Sequence, residues 1–180
     1  MKRFSLLVLL ILIPALASAQ VMSTGFVSAT PTIDTSAYAS GELVGGKLTF
    51  TPAVKQSTST GYVVSVRMTD KAAQAIDFEL ILFAENPSNT TFTDQAAFDL
   101  HDSDIAKVVA VVALDSSSTN YAYADNSIHY VGNLVVPIRG LDTSATPQGT
   151  KTIYGALISR GAPTFATTGD VTITLGIAQD

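Results

Sequence analysis

Cysteine and tryptophan are both missing from the 180 residues, and charged side chains make up only 14% of them. Without Cys there is no disulfide, no thiol nucleophile, no thiolate-built zinc site and no residue to carry a lipoprotein acyl chain. Apart from the adjacent Lys2 and Arg3, the ten Lys and Arg residues are scattered singly. No basic stripe is therefore available to neutralise a phosphate backbone, and nucleic acid is not an expected partner. Internal repeats are lacking, as are phosphate loops and dinucleotide fingerprints; Gly45-Gly46 reads as a turn. His101 and His129 are the only imidazoles. No Gly-x-Ser-x-Gly elbow accompanies the many loop serines, so no nucleophile–base pair is visible. Glu42, Glu79 and Glu85 lie in or beside predicted strands, but there is no Trp to stack a sugar between paired carboxylates. Neither an enzyme nor a cofactor is expected.

The N-terminus is distinctive. Lys2 and Arg3 precede an apolar run over 4–16, and Ala17-Ser18-Ala19 supplies small residues before Gln20. This is the pattern of a Sec-type signal peptide, with cleavage expected after Ala19. The run is short for a membrane span and is interrupted by Pro14, so membrane contact is expected only through this segment if it stays uncleaved. Cleavage removes two of the ten basic residues against fifteen acidic ones, leaving a net charge of −7.

Beyond residue 20 the dominant signal has a period of 2. Tyr62, Val64, Val66 and Met68 alternate with polar or smaller residues, and Ile76, Phe78, Leu80 and Leu82 repeat the pattern. Two such runs joined by a short connection predict a β-hairpin over 61–83, with Arg67 roughly opposite Asp77 or Glu79. Further strands are predicted over 20–30, with Phe26 in the core, over 47–54 around Leu48 and Phe50, and over 107–114. Others cover 127–138, interrupted near Gly132-Asn133, and 151–159. A last strand carries Val171, Ile173, Leu175 and Ile177 almost to the C-terminus. Residues 115–126 and 141–149 read as loops. No long amphipathic helix follows the signal-like segment. About eight evenly spaced strands with turn signals between them define an all-β, antiparallel β-sandwich of jelly-roll-like type, as a single domain over 20–180. Strand order stays open, because a small barrel shares this local patterning.

Two groups of residues invite a site. Asp99, Asp102 and Asp104, with His101 between them, cluster carboxylates in a loop, which can serve Ca²⁺ and its about six to eight oxygen ligands, but Gly is absent and the spacing does not match the EF-hand loop. A solvated acidic turn ahead of a short segment capped by Ser103 accounts for the same residues, and no metal is expected. Tyr121 and Tyr123 are interface candidates, since Tyr is favoured where proteins meet. Tyr130 fits either the core or the same contact patch.

Several segments occur in a telling order: DTSAYASGELV from Asp34, DFELILFAENP from Asp77, AAFDLHDSDIAKVVAVV from Ala96, IYGALISRGAPTF from Ile153, and the terminal VTITLGIAQD. Together they resemble a family of small tailed-phage virion-associated proteins, over nearly all of the chain beyond the signal-like segment. The resemblance implies a non-enzymatic structural or capsid-decoration role in a virion, with other virion proteins or copies of itself as partners in a homo-oligomer. It supplies no catalytic residues. Such proteins begin directly at the first strand, so the signal-like segment keeps an alternative open: an exported, adhesin-like β-sandwich of a bacterial envelope, periplasmic or secreted.

Overall fold

Strands far apart in sequence are paired in the computed structural model, which describes residues 23–54, 60–139 and 152–179. The strands are β1 (Ser23–Ala29), β2 (Leu48–Phe50), β3 (Thr60–Asp70), β4 (Phe78–Phe83) and β5 (Val108–Leu114), followed by β6 (Asn120–Ala122), β7 (Ser127–Val131), β8 (Val136–Arg139), β9 (Ile153–Ser159) and β10 (Val171–Gln179). They form two antiparallel sheets. One runs β1-β10-β3-β7-β6, with β8 also on β3, and the other runs β2-β9-β4-β5. First pairs with last, β2 with β9, β3 with β7 and β8, and β4 with β5. A ribbon of four antiparallel pairs wound onto itself is the jelly roll. β7 and β8 are one strand broken where Asn133 takes a positive φ of 57°, at the interruption expected near Gly132-Asn133. That break, and the added β6, take the jelly roll's eight positions to ten strands.

Alternation builds the core. Val171, Ile173, Leu175 and Ile177 of β10 are all buried, as are Phe78, Leu80 and Leu82 of β4, and these two faces meet between the sheets. The other face of β4 is also apolar. Ile81 and Phe83 join Leu43, Ala156 and Ile158 in a second cluster, on which Phe92, Phe98 and Leu100 pack. The segment carrying those three residues thus lies over the outside of the four-stranded sheet.

Four expectations are corrected. β3 and β4 do not form a hairpin; they belong to different sheets. Buried Asp70 accepts hydrogen bonds from the Ala72 and Gln74 amides, each at 2.7 Å, and Ala73 takes a φ of 52°. The chain therefore turns across the sandwich instead of back along the same sheet. Arg67 lies across from Thr174 and Tyr130, and Glu79 pairs with Arg160 at 2.8 Å. Within β3, the register against β10 steps from Ser65 to Val63, leaving Val64 as the extra residue of a bulge. The bulge re-phases the strand, so Val63, Val66 and Met68 are buried while Tyr62 is exposed. Phe26 is not in the core: it is 79% exposed, and Val27 beside it points inward. The polar loop over 115–126 contains β6, hydrogen-bonded to β7. The signal-like segment 1–19, the loop 141–149 and all but the last residue of the turn 56–60 lie outside the described residues. Among the described residues no helix is long and apolar enough to cross a membrane.

Candidate interaction surface

The outer face of the six-stranded sheet follows from register. Thr24, Phe26 and Ser28 of β1 lie across from Ala178, Gly176 and Thr174 of β10. Those lie across from Tyr62, Ser65 and Arg67 of β3. Arg67 then faces Tyr130 of β7, and Ile128 of β7 faces Tyr121 of β6. The floor is made of small and hydroxyl side chains that satisfy one another: Ser28 bonds Thr174 at 2.9 Å and Thr30 bonds Thr172 at 3.1 Å. Gly176 matters here, because a Cβ at that position would collide with the Ser65 hydroxyl and come within 3.5 Å of the Phe26 ring.

Aromatic rings stand on this floor. Phe26, Tyr62, Tyr121 and Tyr130 are exposed, and Tyr123, 59% exposed, follows β6. Among the described residues, register places two charged residues on the face: Arg67, and Arg139 of β8 across from Thr60. Of the residues expected to make an interface, Tyr121 is on the face and Tyr123 at its rim. Tyr130 joins them and is not in the core. Phe26 and Tyr62 are additions. Phe26 shares strand parity with Thr24, Ser28 and Thr30, and that hydroxyl company was the available signal that it points outward.

The opposite outer face is covered by the protein's own loops, and two carboxylates fasten the cover. Asp94 accepts hydrogen bonds from the Tyr38 hydroxyl at 2.8 Å, the Gly45 amide at 2.6 Å and the Asp34 amide at 2.9 Å. Burial, reinforced by Asp94, holds the Tyr38 hydroxyl above the usual phenol range. Asp104 is fully buried. It accepts from the Thr90 amide (2.7 Å) and hydroxyl (2.8 Å), the Asn89 amide (2.9 Å) and the Lys107 ammonium (2.7 Å). Burial alone would raise its pKa. The hydrogen bonds from Lys107, Thr90 and Asn89 outweigh burial and hold it below the usual carboxylate range.

This geometry bears on the acidic cluster. Asp102 and Asp104 open a 3₁₀ helix, Asp102–Lys107, whose N-cap is His101 in place of the expected Ser103: the Ser103 amide donates to His101 Nδ1 at 3.1 Å. Asp104 is turned inward onto donors, while Asp99 and Asp102 are exposed. A cleft of about 160 Å³ has Asn89, Asp99 and His101 in its walls but not Asp104. Among the described residues no group of three His, Asp or Glu side chains is placed to hold a metal ion.

His129 sits beneath the aromatic corner, fully buried and edge-on to Phe78 with ring centroids 5.8 Å apart. Among the described residues its Nε2 has no hydrogen-bond partner, and neither do Ser127 Oγ and Asn120 Oδ1 nearby on β7 and β6. Burial lowers the imidazole pKa against the opposing pull of Asp77 and Asp115. The unfolded chain therefore binds a proton here near pH 6.5 while the folded chain does not. Stability is fully present above 6.5 and is lost as pH falls toward the lowered folded value. His129→Phe keeps the ring contact and removes the titration. Urea midpoints between about pH 7 and about pH 5.5 should slope down for the wild type and flatten for the variant. An equal slope in both would show that His129 does not titrate on unfolding.

Strand order and the exposed face define an antiparallel jelly-roll β-sandwich with one aromatic-studded sheet that, among the described residues, no loop covers. No protein-family model matches the chain, and neither a curated protein nor a solved structure matches it.

Proposed function

We propose that the chain is a non-enzymatic structural or decoration protein of a phage particle, acting by protein–protein assembly. The observation that carries this reading is the difference between the two outer faces. One sheet is covered by the protein's own loops, with Phe92, Phe98 and Leu100 packed on it. The other presents Phe26, Tyr62, Tyr121 and Tyr130 to solvent on a floor of small and hydroxyl side chains that carries Arg67 and Arg139 but, among the described strand residues, no acidic side chain. Contiguous exposed apolar surface rimmed by polar residues marks interaction sites, and aromatic side chains dominate contact energies. The ordered segments that resemble tailed-phage virion proteins support the same reading. The fold alone does not select it, because jelly rolls also serve as lectin domains and cupins.

The signal-like pattern over 1–19 favours a second reading, an exported adhesin-like envelope protein that uses the same aromatic face. Mass spectrometry of gradient-purified particles separates the two. The phage reading expects the chain as a stoichiometric particle component encoded beside capsid, portal or tail genes. Absence from particles, with recovery from the cell envelope or medium, would leave the second reading. An intact mass beginning at Gln20 within particles would show that export and assembly coexist.

A further inference from the structure

Among the described residues the edge strands are β1, β6 and β8 in one sheet and β2 and β5 in the other. β8 is four residues long and carries Pro137 and Arg139. β2 and β6 are three residues long. β1 is longer, but only Val27 among its residues is buried. β5 differs from all four. It reads VVAVVAL, seven residues with no charge, Gly or Pro. Among the described residues it is hydrogen-bonded along one side only, to β4. Val111 is 58% exposed, and Ala113 is exposed as well. The usual protections of an edge are a short strand, an outward Lys, a Pro or a bulge. β5 has a single irregularity near its start, opposite Leu82 and Phe83, which leaves 110–114 regular.

We propose that β5 is a self-association edge: two copies pair their β5 strands antiparallel about a two-fold axis at Val111, joining the two four-stranded sheets into one. This rests on the assembly reading and names one partner within it. The sequence of the strand selects the partner. Pairing centred on Val111 sets Ala110 against Val112, Val109 against Ala113 and Val108 against Leu114. One step further out at each end, Lys107 comes opposite Asp115 of the other copy. A cation before the strand and an anion after it complement an antiparallel copy and oppose a parallel one. Lys107 is already held by Asp104 at 2.7 Å, so its part is to favour orientation. The attraction comes from backbone hydrogen bonds along the open edge and from covering Val111 and Ala113. The aromatic face of the other sheet stays free for a different partner.

The absence of cysteine makes the test clean, because Val111→Cys introduces the only thiol. At a two-fold position, opposed Cβ atoms lie about 4.5–5.5 Å apart, close enough for a disulfide after small adjustment. Sedimentation velocity on the full chain should show a dimer. Val111→Lys, with two like charges meeting on the axis, should weaken that dimer about 100-fold or more while leaving the melting temperature of the monomer unchanged. Mild oxidation should cross-link Val111→Cys to dimer and leave Ala37→Cys, exposed in the loop before β2 and on neither surface, largely monomeric. A monomeric wild type, a dimer indifferent to Val111→Lys, or equal cross-linking of the two cysteine variants would each overturn β5 pairing. None of these touches the assembly reading, which fails separately if the chain is absent from particles.

Discussion

Phe78→Ala is expected to lower the unfolding free energy by about 3–5 kcal/mol, the range for emptying a buried aromatic site. Phe78 opens β4, is 1% exposed and belongs to the main core between the sheets. Its ring also makes the edge contact with His129, so truncation removes a ring partner from a side chain whose Nε2 already lacks one among the described residues. The loss should appear as a lower denaturant midpoint with an unchanged slope, because the folded state stays as compact as before. Phe26→Ala is the matched control. On the aromatic face, the same chemical change should stay within about 0.5 kcal/mol. Equal costs at the two positions would mean that the inward and outward faces are misassigned.

Asp104→Ala should be the most damaging polar substitution in the cover over the four-stranded sheet. It strips the Thr90 amide and hydroxyl and the Asn89 amide of their acceptor and leaves Lys107, itself partly buried, with the Asn86 carbonyl but without its counter-ion. Removing one member of such a pair is far worse than removing both. We expect a fall in melting temperature on the order of 10 °C, with new protease sensitivity over 84–107. A double variant that also changes Lys107 to Met should recover part of the loss. The acid side follows from the same contacts. Asp104 is held below its unfolded value of 3.8, so its contribution is present above that pH and is lost as pH falls through it toward the lower folded value. Asp104→Asn should lessen that dependence. Unchanged protease resistance in Asp104→Ala would show that Phe92, Phe98 and Leu100 hold the cover without it.

The elements were legible where one period ran unbroken. Val171 to Ile177 alternates and is buried as written, and the 107–114 run begins one residue later than expected. What failed lay between elements. A hairpin and a crossover both read as two period-2 runs, and only Asp70, gathering the Ala72 and Gln74 amides, turns 71–77 across the sandwich. The bulge at Val64 moved Tyr62 outward, a change that no count along β3 alone reveals. Phe26 was misread because its size outweighed its parity with Thr24 and Ser28. Tyr121 and Tyr123 were legible as aromatics in polar surroundings. The face was not, because it exists only once β1, β10, β3, β7 and β6 are set side by side. The acidic cluster looked like one site and is split by burial: Asp104 fastens the cover, while Asp99 and Asp102 face solvent.

The central claim is that this sandwich works by being covered on its aromatic face. Its most direct test is the copy number in gradient-purified particles of the wild type and of a Phe26→Ser, Tyr121→Ser, Tyr130→Ser variant. All three positions are exposed, so the variant should fold and melt like the wild type. The account predicts stoichiometric wild-type copies and loss of the variant from particles. Equal incorporation of the two, or absence of both, would contradict it.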